Sequence, residues 1–217
     1  MVGMTDDRLR SILTELVITD DWSVAVVEDA TIADLDPEAI EKARKEYTKR
    51  NPFRKAEISA WDDTKFLDKA KITINGKITR TALVLLGKEE SEHLLTPYVA
   101  CIRWSLREVG ATQNKDYEIL SMPLLLSVDK LYNKVRNVKY RLVRPDSMFP
   151  DEMLRYDMFN IREPLNNAIA HQDYTKCARI EVVEYEDDHI IFQNYGNVLA
   201  GECGECCDER LPGVGLS

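Results

Sequence analysis

Glu163, Asn167 and His171 recur at intervals of four, a spacing that puts all three on one stripe of a helix. A carboxylate and a carboxamide one turn apart can serve a single substrate: the carboxylate takes a proton from water, and the carboxamide oxygen ligates a hard cation. By itself such a stripe describes a solvated helix face equally well. The tail holds Cys203, Cys206 and Cys207, but a structural zinc needs about four ligands and no second pair has usable spacing. The basic run Lys130, Lys134, Arg136, Lys139, Arg141 and Arg144 offers phosphate contacts or, just as well, a solvated strand edge. No G-x-x-x-x-G-K-[ST] loop occurs in the chain, which argues against a helicase motor.

The stripe needs a helix to carry it. Asn160-Ile161-Arg162-Glu163 has the form of a capping box, so a helix is expected to begin there, with Pro164 early in it. Ile161, Leu165, Ala168 and Ile169 then share the apolar face opposite the stripe. Ala178 to Tyr185 and His189 to Asn194 alternate around Glu186-Asp187-Asp188 and read as a hairpin, with Ile180, Val182, Ile190 and Phe192 pointing inward.

The string Arg162-Glu163-Pro164-Leu165-Asn166-Asn167-Ala168-Ile169-Ala170-His171-Gln172-Asp173-Tyr174 resembles the R-E-A-L-x-N-A-x-x-H-R-D-Y signature of a family of bacterial transcriptional regulators with a GHKL-like ATP-binding domain. Arg179 to Val182 and Ile190 to Asn197 resemble that domain's strand pair, which ends in N-P-G. The resemblance implies that Glu163 orients or activates the attacking water and that Asn167 ligates the Mg²⁺ bridging the phosphates. It further implies nucleotide-site positions at His171, Asp173, Asn194 and Gly196. Asn194 stands where other GHKL proteins carry an adenine-reading aspartate, and an amide can hydrogen-bond there without charge. Pro164 and Gln172 depart from the family's common alanine and arginine.

Earlier segments extend the resemblance. Asp34 to Glu38, Gly76 to Gly87 and Cys101 to Trp104 look like the family's middle region. That region follows an AlbA-like, Schlafen-type domain thought to contact nucleic acid, and Met4 to Leu16 resemble at most the last helix of it.

The remaining elements come from pattern. Asp6 to Leu16 reads as a short helix followed by an aperiodic connector. Asp36-Pro37-Glu38 caps a helix from Ala39 to Tyr47 that Asn51-Pro52 stops. Ser59 to Ala70 reads as a second helix, Lys71 to Thr79 as a hairpin about Asn75-Gly76, and Thr81 to Leu86 as a buried run ended by Gly87. This order suggests a winged-helix unit, but many cores share it, so no recognition helix is assigned. Tyr98 to Leu106 and Tyr117 to Met122 read as strands, Leu124 to Val135 as a helix, Val138 to Val143 as a strand, and Pro145 and Pro150 punctuate a loop.

The expected fold class is therefore α+β. A remnant helix and connector (1–35) and a central mixed domain (36–148) precede a partial GHKL-like helix plus β-hairpin (149–200). A tail (201–217) looks disordered or foreign to the family. A one-nucleotide shift of its frame permits V-N-A-V-N-V-V-M-N-A-Y-P-E-W-V-Y, which resembles the family's continuation.

With 217 residues, 44% hydrophobic content and a formal charge of −9, the chain reads as globular, and its charge disfavours non-specific attraction to nucleic acid. No apolar run reaches membrane length, Met1 to Asp7 lack the basic flank and apolar run of a signal peptide, and a cytoplasmic setting is expected. The expectation is a piece of an ATP-responsive regulator: ATP and Mg²⁺ bind the full-length protein and neither binds this chain, whose lid is missing. DNA is contacted through an absent N-terminal domain. The alternative is a non-enzymatic scaffold or dimerisation module. A homodimer is expected from the incomplete hairpin sheet.

Overall fold

A computed structural model describes residues 21–136, 139–142, 151–186 and 188–196. The N-terminal helix expected before residue 17, the loop at Pro145 and Pro150, and the cysteine tail lie outside them.

Residues 21–35 make two short 3₁₀ turns and lead to helix α1 (Pro37–Arg50). Asp36 accepts hydrogen bonds from the Glu38 and Ala39 amides, Pro37 occupies the first turn, and the Asn51 side chain donates to the Tyr47 carbonyl at the far end. These are the cap and stop that the sequence announces. Ser59 ends a separate short helix, α2 (Lys55–Ser59), and the helix expected from Ser59 to Ala70 begins later, as α3 (Asp63–Lys69). Arg44 on α1 holds the turn between them: its guanidinium donates to the Ile58 and Trp61 carbonyls at 3.0 Å each and to Asp63 at 2.7 Å. Asp62 then caps α3 through the Lys65 amide.

Strands β1 (Thr73–Ile74) and β2 (Lys77–Ile78) form the expected hairpin. Asn75 and Gly76 both have positive φ, as a two-residue turn of this hand requires. The apolar run that follows is helix α4 (Arg80–Leu86), with Ala82, Leu83, Val84 and Leu86 all buried. A helix buried around its circumference shows no amphipathic period, which hid it in the sequence. Gly87 ends α4 at a point where a Cβ would stand 2.5 Å from the Leu83 carbonyl oxygen.

Strands β3 (Ile102–Arg107) and β4 (Asn114–Leu120) form an antiparallel pair. Tyr98, assigned to the first strand from sequence, lies in a turn with its amide on the Leu95 carbonyl. The second strand, expected from Tyr117, begins earlier: Asn114 to Asp116 belong to β4, whose edge position leaves them in contact with water. Helix α5 (Leu124–Lys134), the antiparallel pair β5 (Lys139–Leu142) and β6 (Asp151–Leu154), helix α6 (Met158–Ala170), and strands β7 (Ile180–Tyr185) and β8 (Ile190–Gln193) complete the described chain.

The main sheet runs β4-β3-β7-β8, with β3 and β7 parallel. Strands from either side of residue 148 therefore lie side by side, so the boundary drawn there is no seam between separate sheets. The inner edge of the 178–194 hairpin, left open in the sequence reading, is filled by β3. Ile102, Trp104, Leu106, Ile180 and Val182 face the helices and form one core with Leu124, Val128 and Leu131 of α5 and Ile161, Leu165 and Ala168 of α6. This is the α+β class expected. Among the described residues no helix is long and apolar enough to cross a membrane.

Candidate functional site

Helix α6 starts earlier than the capping-box reading placed it. Asp157 is the cap, accepting from the Phe159 amide, and Asn160 already lies inside the helix. Asp157 and Asn160 are both competent caps, and the earlier one brings the exposed Met158 and Phe159 into the first turn. Pro164 consequently sits beyond the first turn, where it withholds a donor from the Asn160 carbonyl.

The two faces of α6 separate as the periodicity requires. Ile161, Leu165, Ala168 and Ile169 are buried, whereas Glu163, Asn167 and His171 are exposed on one side. His171 ends the helix, its amide on the Asn167 carbonyl at 2.9 Å.

The segment after β8 returns to this end of the helix. The Tyr195 amide donates to Gln172 Oε1 at 2.8 Å, the Asp173 amide donates to the Tyr195 carbonyl at 2.9 Å, and Gln172 Nε2 donates to the Ala178 carbonyl at 2.9 Å. Gln172 is buried and ties the end of α6 to the chain before β7 and after β8. A Cβ on Gly196 would lie 2.3 Å from the His171 carbonyl oxygen and 2.9 Å from Asn194 Nδ2. Only glycine permits that approach. Asn194 and Gly196 are thus held at the C-terminal end of the stripe bearing Glu163 and Asn167.

Asp173 has a local task, accepting from the Thr175 amide and hydroxyl at the head of a 3₁₀ turn and lying 3.8 Å from Lys176. Gln172, noted in the sequence only as a departure, is the residue whose importance was missed. The signal that could have found it is a polar residue between the helix end and a strand, where unpaired carbonyls and amides converge.

The other flank of α6 is built differently. Arg162 pairs with Asp129 of α5 at 2.5 Å, and Asp129 also pairs with Lys42 of α1 at 2.6 Å. Lys42 donates besides to the Leu125 carbonyl at 2.7 Å. Burial raises the Asp129 pKa, but its bonds to Lys42 and Arg162 outweigh that and leave it below the ordinary value. On the sheet, Glu184 is 3% exposed among apolar side chains, accepting from Trp104 Nε1 and the Arg136 amide at 3.0 Å each. Burial dominates there and raises its pKa against those two donors.

Of the basic run, Lys134 sits 3.0 Å from Glu118 and over the Trp104 ring, and Arg136 pairs with Glu186 at 2.5 Å. These two cations are engaged by carboxylates of the same chain, as on a solvated structural face.

Comparison with known proteins adds the following. Residues 10–102 match the model of a domain of unknown function, DUF8451. That match ends at the start of β3 and does not reach α6. No curated protein matches the chain. Among solved structures, the DIP2311 protein of Corynebacterium diphtheriae is similar over 82% of this chain, with 20% identity and a TM-score of 0.59. The likeness is one of fold, and the chain spans 34% of the length of that protein.

Proposed function

We propose that this chain supplies the helix and hairpin of a GHKL-type ATP-binding domain in a bacterial transcriptional regulator. The reading rests on one juxtaposition: Glu163 and Asn167 exposed together on α6, with Asn194 and Gly196 drawn against the end of the same stripe. In this role Asn167 would hold a Mg²⁺ ion, which would supply positive charge to the phosphates, and Glu163 would orient or activate water. His171 and Asp173 act mainly by orienting the helix end, and Asn194 meets the base. The nucleotide is enclosed only when further chain covers the open side of the stripe, so the full-length gene product binds Mg-ATP and this chain alone does not.

A second reading is favoured by a specific observation. Neither of the two largest cavities described is lined by Glu163 or Asn167. On that reading the chain is a non-enzymatic scaffold linking a DNA-contacting module to a dimerisation module, with β4 and β8 as the edge strands open to a second copy.

Titration calorimetry with Mg-ATP separates the two. The first reading expects micromolar binding by the full-length gene product, kept in Glu163→Gln while any hydrolysis falls, and none by the 217-residue chain. Micromolar binding by the chain itself would overturn the need for a lid, and a gene product indifferent to nucleotide would leave the scaffold.

A further inference from the structure

Two cavities are lined on α6 by Arg162, Asn166, Ile169 and Ala170, and they share Leu125, Val128 and Asn166 in their walls. They lie side by side along the seam of α5 and α6. The larger, about 600 Å³, has an apolar and aromatic part, where Val84 and Leu85 of α4 and Ile169 of α6 face the stacked pair Trp22 and Tyr174, whose ring centroids are 5.0 Å apart; Asp21 and Asp173 also line it, each accepting from the amide two residues on. Trp22 Nε1 is shielded from solvent and has no acceptor among the described residues. The smaller, about 440 Å³, is lined by Lys42, Arg50 and Arg162 with Glu46 and Asp129.

The acids there are already matched. Asp129 is held by Lys42 and Arg162, and Glu46 pairs with Lys49 at 2.6 Å. Arg50 makes no ion pair among the described residues, so this end retains an excess of positive charge in a chain whose net charge is −9. The combined volume is that of a site for a small organic ligand.

We propose that this cleft binds one amphipathic organic anion, its apolar or aromatic body against Trp22 and Tyr174 and its carboxylate, phosphate or sulfonate head toward Arg50 and Arg162. Such a ligand touches Arg162 and Asn166 on the same helix that carries Glu163 and Asn167, so it has a direct way to bias that helix. Glu163, Asn167 and His171 are not in its walls, although Gln172 and Asp173 at the end of α6 are, so the probes below are read in the absence of nucleotide.

The test uses the 217-residue chain and two fluorescent probes of the same skeleton. 8-Anilinonaphthalene-1-sulfonate carries the anion, and N-phenyl-1-naphthylamine lacks it. The expected result is saturable one-to-one binding of the sulfonate, tighter than the neutral probe by about fivefold or more, as roughly 1 kcal/mol from a partly exposed charge contact would give. Arg50→Gln, at an exposed position, removes that preference and leaves the neutral probe unchanged. Ala170→Trp, also exposed on the cavity wall, and Leu85→Trp each abolish binding of both probes by filling the apolar end. The near-ultraviolet circular dichroism of each variant verifies that it is folded. Non-saturable binding, equal affinity for the two probes, or sulfonate binding that survives both Ala170→Trp and Leu85→Trp would overturn the proposal.

Discussion

The two flanks of helix α6 are made from one stretch of sequence and are held by opposite means. Its inner side is fixed by Leu165 and Ile161, almost wholly removed from water, and by the Arg162–Asp129–Lys42 chain that ties three helices together. The outer side, Glu163, Asn167 and His171, is exposed. Packing thus explains where the helix lies and does nothing to explain the identity of its outer residues. Side chains that stability does not require are the ones on which a functional reading can rest, and that is why Glu163 and Asn167 carry the proposal while Leu165 does not.

The sharpest way to break this contrast is to alter one residue on each side. Leu165→Ala is expected to cost about 2–5 kcal/mol, the range for emptying a buried leucine site. Glu163→Gln is expected to change stability by less than about 0.5 kcal/mol, as for a surface site without special contacts. Urea unfolding of both variants measures the difference, and comparable losses would mean that the outer stripe is structural after all.

Gln172 lies between these extremes. Gln172→Ala leaves the Tyr195 amide and the Ala178 carbonyl without their partner, for which about 1–3 kcal/mol is expected. The loss should be concentrated around residues 194–196, read as faster amide exchange at Tyr195, with α1 unaffected. Uniform loss of protection across the chain would place Gln172 in the global core instead.

The smallest effects expected are in pH dependence, where two carboxylates act with opposite sign. The Glu184 pKa is raised by burial, so its contribution to stability is fully present below the ordinary glutamate range and is lost as pH rises through its folded value. The Asp129 pKa is lowered on balance, so its contribution is present above the ordinary aspartate range and is lost as pH falls through its folded value. Glu184→Gln should therefore gain on the wild type as pH rises from about 4 to about 8, while the penalty of Asp129→Asn should shrink toward acid. Urea midpoints at the two ends of that range test both signs.

How much of this could be read beforehand follows the physics of each element. Capping residues and turn glycines act locally, so α1, the β1–β2 hairpin and the buried face of α6 were legible from Asp36, Asn75-Gly76 and the spacing of Leu165 and Ile169. Long-range partners were not. Arg44 reaches two carbonyls outside its own helix around the turn between α2 and α3, and burial over most of its surface left α4 without a clear period. The parallel pairing of β3 with β7 joins residues far apart in sequence, so the hairpin sheet looked incomplete. At the site, types and spacing gave the stripe, but the clasp at Gln172 and the close approach of Gly196 to His171 depend on the loop after β8. The α5–α6 cleft had no sequence signature, because its walls come from six separate segments.

The central claim, that the outer stripe of α6 faces a magnesium nucleotide, is tested most directly by titrating the full-length gene product with ATP in the presence and absence of Mg²⁺. The same titration is repeated on Asn167→Ala. The account expects saturable binding that depends on Mg²⁺ and is lost in Asn167→Ala, while the thermal midpoint of the variant stays close to that of the wild type. Mg-ATP affinity unchanged by Asn167→Ala would contradict it.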